Sequence, residues 1–273
     1  MSQNRQEPDF NTLAVDYAKF RTSYSEELFD TILDYARVPL GGRVLDLACG
    51  TGLGMLAYLR RGFSVCGVDV AEGMIEEARK SLPSGVGVEF RIGPAEELPL
   101  QDASFDLVSC AQAFHWFEPH RAFAECARVL KPGGALAIFW KHAARGDVLT
   151  EACERIVCDW LGEEAMRQTR DHADEHESGW SVFWQYVAPL TDPAGERLLC
   201  DGEKRVVEFF FPRTRDEFVG YQRSREKIRK VLGVRREEFL KELDRRLRAR
   251  GDMNEPVQQR QIQYVFLARK PKK

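Results

Sequence analysis

The chain has 273 residues, with 40 Lys plus Arg against 43 Asp plus Glu, a formal net charge of -3 and seven Cys. That length fits one large α/β domain, or such a domain with an accessory lobe. The near balance of charge excludes a global attraction to nucleic acid or to an anionic membrane surface.

The first residues, MSQNRQEPDF, are polar and hold no apolar stretch followed by a small-residue cleavage site. No apolar run approaches the roughly 20 residues a bilayer span requires. A cytoplasmic protein with no membrane association is expected. Cys49, Cys66, Cys110, Cys126, Cys153, Cys158 and Cys200 form an odd set without a C-x-x-C pair. They read as reduced, mostly buried thiols, with neither disulfides nor a metal site.

SEELFDTILDYA, residues 25–36, reads as a helix opened by Ser25 as N-cap with acids in its first turn. From 43 to 140 short apolar runs alternate with helical periodicity: RVLDLA then GMLAYLRR, SVCGVDV then AEGMIEEARKSL, VEFRI, FDLVSCA then HRAFAECARVL, and ALAIFW. Strands alternating with helices imply a parallel sheet with right-handed crossovers. Pro132-Gly133-Gly134 punctuates the last pair as a turn. Residues 141–203 lose the strand rhythm and read as a substrate lid of helices and loops carrying Trp160, Trp180, Phe183, Trp184 and Tyr186. A strand over KRVVEFFF follows, then helices over 214–232 and 236–250, and a closing strand IQYVFLA. From Arg223 to Arg250 twelve Lys or Arg face five Asp or Glu, which reads as a solvated helix face with mixed ion pairs.

The strongest local signal is VLDLACGTGLG, residues 44–54, a strand entering a glycine-rich turn that opens a helix. Such a turn lets backbone amides approach a ligand at the carboxyl end of a strand. The dinucleotide fingerprint would place Gly or Ala at the position held by Met55. Asp46, four residues before Gly50, would oppose a pyrophosphate and favour a cationic ligand. The second strand ends in Asp69, seventeen residues beyond Gly52. An acid there can accept hydrogen bonds from both ribose hydroxyls and would repel a 2′-phosphate. His172-Ala173-Asp174-Glu175-His176 matches a zinc-peptidase pattern, but no third ligand or peptidase scaffold accompanies it.

These residues closely resemble the class I S-adenosylmethionine-dependent methyltransferases, in particular the small-molecule branch that includes trans-aconitate and juvenile-hormone-acid-type methyltransferases. The resemblance runs from about Tyr17 to Trp140 and is carried by VLDLACGTG, GVDVAEGMIEEAR, GPAEELPLQDASFDLV, AFHWF and RVLKPGGALAIF. It implies a Rossmann-like, doubly wound, seven-stranded α/β sheet, mainly parallel with an antiparallel last strand, plus a helical lid insertion. The expected organisation is a cofactor-covering segment over 1–42, a core over 43–140, the lid over 141–203 and a sheet-completing part with two helices over 204–273.

The resemblance also implies S-adenosylmethionine as cofactor and S-adenosylhomocysteine as product. Gly50, Thr51, Gly52 and Leu53 would wrap the methionine part beside Asp46, and Asp69 would hold the ribose. Val70 and Met74 would flank the adenine, Ala95 and Glu96 would line its amino edge, and Ala111 and Gln112 would face the methionine moiety. Tyr17 would pack against the sulfonium side and Arg21 would pair with the methionine carboxylate. His115 and Trp116 follow the fourth strand, where such enzymes address the reacting atom: His115 to orient an acceptor or remove its proton, Trp116 to wall out water. Arg223 and Arg225 are candidates to neutralise an acidic substrate. The expected partner is a small-molecule acceptor methylated on a carboxylate or hydroxyl oxygen, while the oligomeric state is not legible. A methyltransferase acting on RNA or another nitrogen or carbon acceptor is the runner-up, although Ala113-Phe114-His115-Trp116 stands where base-amine enzymes carry an Asn- or Asp-Pro-Pro-aromatic motif. A non-catalytic cofactor-binding regulator is the alternative from another class.

Overall fold

The computed structural model describes residues 10–83, 87–144, 146–169, 185, 188, 190–191, 195–250 and 255–272. These fall into two compact units that interleave along the chain. One draws on residues 22–142, 172–209 and 261–273, the other on 1–21, 143–171 and 210–260. The aromatics Trp180, Phe183, Trp184 and Tyr186 of the expected lid, and the 172–176 pattern, lie outside the described residues.

Seven strands form one sheet: β1 (Arg43–Leu47), β2 (Ser64–Asp69), β3 (Val88–Ile92), β4 (Phe105–Ala111), β5 (Leu130–Ala143), β6 (Cys200–Arg213) and β7 (Val257–Arg269), in the order β3-β2-β1-β4-β5-β7-β6. β1 pairs parallel with β2 and β4, β2 with β3, and β4 with β5. β7 runs antiparallel to β5, with Gly133 N donating to Lys270 O and Lys270 N to Gly134 O. The mainly parallel sheet with an antiparallel last strand is therefore as expected.

Neighbouring residues of a strand point to opposite faces, and both faces here are covered, which is why the strands read as continuous apolar runs. On one face Val44, Ala137 and Phe139 pack with Leu28, Phe29 and Ile32 of α2 (Glu26–Ala36), Met55 and Tyr58 of α3 (Leu53–Arg60) and Ile75 of α4 (Glu72–Ser81). On the other, Leu45, Val108, Leu136 and Ile138 meet Phe123, Cys126 and Val129 of α5 (Pro119–Val129). The Ser25 side chain accepts from Leu28 N to open α2, as its sequence position implies.

Pro132-Gly133-Gly134 corrects one expectation, because the three residues lie inside β5 instead of preceding it. The register jumps from Phe105↔Leu130 to Leu107↔Ala135, and Gly133 adopts φ 80°. The glycines make a bulge that β7 ties down through backbone bonds to Lys270.

The other unit is helical: α1 (Phe10–Phe20), α6 (Val148–Thr169), α7 (Arg215–Arg223), α8 (Glu226–Leu232) and α9 (Arg236–Ala249). Its core joins Leu149, Ile156 and Val157 to Phe218, Ile228, Phe239 and Leu243. The single helix expected over 214–232 is two. Thr214 and Glu217 open α7 with a reciprocal capping box, and Ser224 ends it by donating from Oγ to Tyr221 O. α6 breaks at Gly162, which sits at φ 84°. The arginine-rich stretch carries the expected mixed ion pairs, including Arg245 and Arg246 with Glu242 and Arg215 with Asp244; as surface pairs they contribute little stability. All seven cysteines are free thiols. Among the described residues no helix is long and apolar enough to cross a membrane, and none of the His, Cys, Asp and Glu residues form a metal-holding group.

Close packing against β2 sets the place of the glycine turn. A Cβ on Gly67 would lie 2.8 Å from both Cys49 Sγ and Met55 Sδ. Gly67→Ala is expected to lower unfolding stability by about 1–3 kcal/mol, as overpacking does; a urea midpoint equal to wild type would show that the turn yields freely.

Candidate active site

The carboxyl ends of β1, β2 and β4 lie side by side, with Leu47 paired to both Val68 and Cys110. Between β1 and β4 the chain order reverses direction across the sheet, the switch point at which open α/β sheets bind ligands. After β1 the backbone turns through left-handed conformations at Ala48 (φ 54°), Gly50 (φ 53°) and Gly52 (φ 82°). Ala48 bears the cost that glycine avoids, which marks the turn as held by its surroundings. Cys49 N donates to Val68 O at 3.0 Å, fastening the turn to β2. Gly52 is the N-cap of α3, whose first residue is Leu53. Around the position a Gly50 Cβ would take there is open space, whereas at Gly52 a Cβ would meet Leu82 at 2.8 Å. One glycine serves approach from outside and the other serves internal packing.

Asp69 closes β2 and joins the two loops. Its Oδ2 accepts from Gly50 N at 2.9 Å and its Oδ1 from Ala71 N at 2.9 Å. Burial raises its carboxyl above the usual range, and backbone donors from Ala71, Gly50 and Val70 work against that rise. Each oxygen retains a lone pair for a further donor. Val70 is 61% exposed beside it, while Met74 on α4 is buried.

Asp46 differs from its sequence reading in charge. It is 1% exposed, and burial followed by the charge of Asp69 pushes its pKa up to about 8. At neutral pH it is therefore mainly protonated, and its charge does not attract a cation from a distance. Met55 N–H donates to it, and a Cβ on Gly54 would stand 2.8 Å from its Oδ2. Asp46 Oδ1 and Thr51 Oγ1 are buried and have no hydrogen-bond partner among the described residues. Two unmet polar atoms under a glycine turn suit a polar ligand.

On the other side, Ala111 ends β4 and Gln112 follows at φ 59°, its N donating to Phe139 O and its Nε2 to Lys141 O. Ala95 is buried, and Glu96 Oε1 accepts from Glu118 N at 2.7 Å. The Glu118 carboxylate in turn caps α5 at His120 N and Arg121 N. His115 and the 38% exposed Trp116 occupy a 3-10 turn, Phe114–Trp116, with their rings 4.7 Å apart. Sequence reasoning missed two residues of β5, Trp140 and Lys141. Trp140 Nε1 donates to His115 Nδ1 at 3.3 Å. Lys141 Nζ donates to Thr22 Oγ1, Thr22 O and Ser23 O and lies over the Tyr24 ring. A lysine closing an apolar strand was the available signal for the latter.

Four candidates belong to the helical unit. The Arg21 guanidinium stands over the rings of Tyr17 (4.6 Å) and Tyr221 (5.0 Å) and donates to Ser224 O. Arg223 makes two bonds to Glu237, at 2.8 and 3.0 Å. Arg225 is buried and donates to Gln222 Oε1 and Thr169 O.

Residues 45–138 match the model of a methyltransferase domain family, and the chain is similar to methyltransferases beyond that stretch. An uncharacterized methyltransferase of Mycobacterium tuberculosis (strain ATCC 25618 / H37Rv) is 42% identical over 131 residues, 48% of this chain and 51% of that protein. A malonyl-[acyl-carrier protein] O-methyltransferase of Methylococcus capsulatus is 39% identical over 134 residues, 47% of this chain and 48% of that protein. The chain thus spans about half the length of the curated relatives it matches. The structure of a putative type II methyltransferase from Anaeromyxobacter dehalogenans superposes with TM-score 0.60 at 27% identity, covering 92% of this chain and 97% of that one.

The buried acid supplies a pH test of the methyltransferase core. Because the folded pKa of Asp46 stands near 8, above the ordinary carboxylate value of 3.8, stability linked to it is fullest below that ordinary value and is lost as pH rises toward 8. The urea midpoint of Asp46→Asn should gain on wild type steadily from pH 5 to pH 8.5; a constant difference over that range would mean that Asp46 is ionised throughout.

Proposed function

We propose that the protein is an S-adenosylmethionine-dependent methyltransferase that transfers the methyl group to an oxygen of a small organic acceptor. The observation that carries this reading is the single carboxylate of Asp69 holding Gly50 N and Ala71 N. It joins an acid suited to ribose hydroxyls to an open glycine turn beside a buried second acid, within the stretch that matches a methyltransferase domain. The residues fit the cofactor: open space over Gly50 admits its methionine part, and Thr51 Oγ1 and Asp46 Oδ1 offer polar partners to it. Asp69 serves the ribose hydroxyls, Val70 and Met74 the adenine faces, Ala95 and Glu96 the adenine edge, and Leu53, Gly52, Ala111 and Gln112 the rest of the cradle. When bound, the cofactor supplies a methyl group on a positively charged sulfur, activated for direct displacement.

What remains for the protein is alignment. Near-attack geometry supplies most of the acceleration in a displacement of this type. His115 orients the acceptor from the end of β4, and Trp116 beside it limits water. Support for an oxygen acceptor comes from the relative named as an O-methyltransferase. Arg223 and Arg225 brace helices through Glu237 and Thr169, so acceptor binding is not assigned to them.

A cation arriving beside Asp46 favours its ionised form, so cofactor uptake at neutral pH releases a proton there. Calorimetry with S-adenosylhomocysteine should show one site per chain, and Asp69→Ala should weaken it about 30-fold, or about 2 kcal/mol, through lost charge-assisted hydrogen bonds. A chain that ignores this nucleoside and takes up a nicotinamide dinucleotide would sink the assignment.

A further inference from the structure

We propose that Lys141 is a positioning residue for the cofactor site: by its carbonyl and its ammonium it holds the turn after β4 and residues 22–24 as one unit, and the order of that unit retains an S-adenosyl ligand. This rests on the reading that Ala111 and Gln112 line the cradle.

Two alternate residues of β5 carry the contacts. Successive strand residues point to opposite faces, so Phe139 and Lys141 share one. Phe139 pairs in register with Ala111, the last residue of β4, which places Lys141 just beyond the end of that strand. Through their main chains the two fix the turn after β4: Gln112 N donates to Phe139 O at 2.8 Å and Gln112 Nε2 to Lys141 O at 3.0 Å. Gln112 sits at φ 59°, a left-handed conformation that a residue other than glycine keeps where its surroundings hold it. Through their side chains the same two residues fix 22–24. The Tyr24 ring stands edge-on to that of Phe139 at 4.9 Å, and Lys141 Nζ lies 4.6 Å from the centre of the Tyr24 ring. Lys141 Nζ donates to Thr22 Oγ1 at 2.9 Å, to Ser23 O at 2.7 Å and to Thr22 O. One residue on, Ser25 Oγ donates to Gln263 Oε1 of β7 at 3.1 Å and accepts from Leu28 N, so the segment is pinned again where α2 begins.

A lysine is a costly choice for tying down a loop. Lys141 is 9% exposed, and burying an ammonium is expensive unless its hydrogen bonds are met. Its three N–H groups meet three oxygen acceptors here. Apolar packing could anchor a loop against β5 at less cost, but an ammonium also fixes direction, because Thr22 and Ser23 must turn their oxygens toward it. The course of 22–24 and the left-handed turn at Gln112 therefore have a common support. A ligand seated against Ala111 and Gln112 is held by a turn that is itself braced, and the consequence falls on its rate of departure.

The test uses the intact chain, with S-adenosylhomocysteine as the probe and amide hydrogen exchange read by mass spectrometry. In wild type the nucleoside should slow exchange in peptides spanning 22–24 as well as in those spanning 112–114. Lys141→Met keeps the stem and removes the donors. It should exchange fast at 22–24 with or without the nucleoside, release the nucleoside about 10-fold faster, and leave exchange in β1 unchanged. Lys141→Arg, which keeps donors on a long stem, should restore most of the residence time. Gln112→Leu should shorten residence too, and by less in the Lys141→Met background than in wild type, as for residues that act through one unit. Four results overturn the proposal: wild-type release from Lys141→Met, a Lys141→Arg as damaged as Lys141→Met, additive losses with Gln112→Leu, or no slowing at 22–24 when wild type is loaded. If Lys141→Met does not fold, Thr22→Val removes a single acceptor; release about 3-fold faster is then expected, and release at the wild-type rate overturns the proposal. A wild type that does not bind the nucleoside sinks the cofactor assignment together with this one, whereas tight binding that Lys141→Met retains sinks the positioning role alone.

Discussion

One carboxylate holds the site together. Asp69 accepts N–H groups from Gly50 and Ala71, so the loop after β1 and the loop after β2 share an anchor at the ends of paired strands. Buried backbone donors must be satisfied, and hydrogen bonds to an ionised acceptor are roughly twice as strong as neutral ones. The turn can then tolerate Ala48 in a left-handed conformation, because its neighbours over-determine it. Burial opposes ionisation of Asp69, and the backbone donors offset part of that opposition. The same bonds that shape the turn keep the acid able to serve a ligand.

Asp46 shows how two nearby acids divide their roles. With its burial essentially complete and Asp69 close, the charged form is disfavoured twice over, so one carboxyl stays mainly neutral while the other is held by donors. A buried acid under the turn thus accepts Met55 N–H at the start of α3, while its Oδ1 is unmet among the described residues.

Much of this was legible in the sequence, for identifiable reasons. The strands β1, β2 and β4 announce themselves because both faces of a parallel sheet are covered there, and α2 because Ser25 and two acids mark its start. The glycine turn and Asp69 are local features with fixed spacing. α1 was not legible: only Leu13 and Ala14 are buried, and it is held from outside by contacts such as Phe20 against Gly220, where a Cβ would lie 2.1 Å from the ring. Pro132-Gly133-Gly134 misled because a bulge and a turn use the same residues, and only the partner strand separates them. The break at Ser224 depends on a serine hydroxyl competing for a backbone carbonyl, an option open to any serine in a helix. The ionisation of Asp46 was misjudged because a sequence position carries no burial.

The bond between Trp140 and His115 was beyond the sequence for a different reason. Neither residue has a local pattern that requires the other; adjacency of β4 and β5 brings them together. A sheet whose strand order is shared across a family thus leaves chemical choice to the residues just past the strand ends, where one side chain can hold another. At the β1 and β2 ends of this chain one such residue, Asp69, joins two loops through their backbone amides. At the β4 and β5 ends a bulky indole stands where its only polar atom meets an imidazole nitrogen, so the packing of β5 and the orientation of the His115 ring form one constraint.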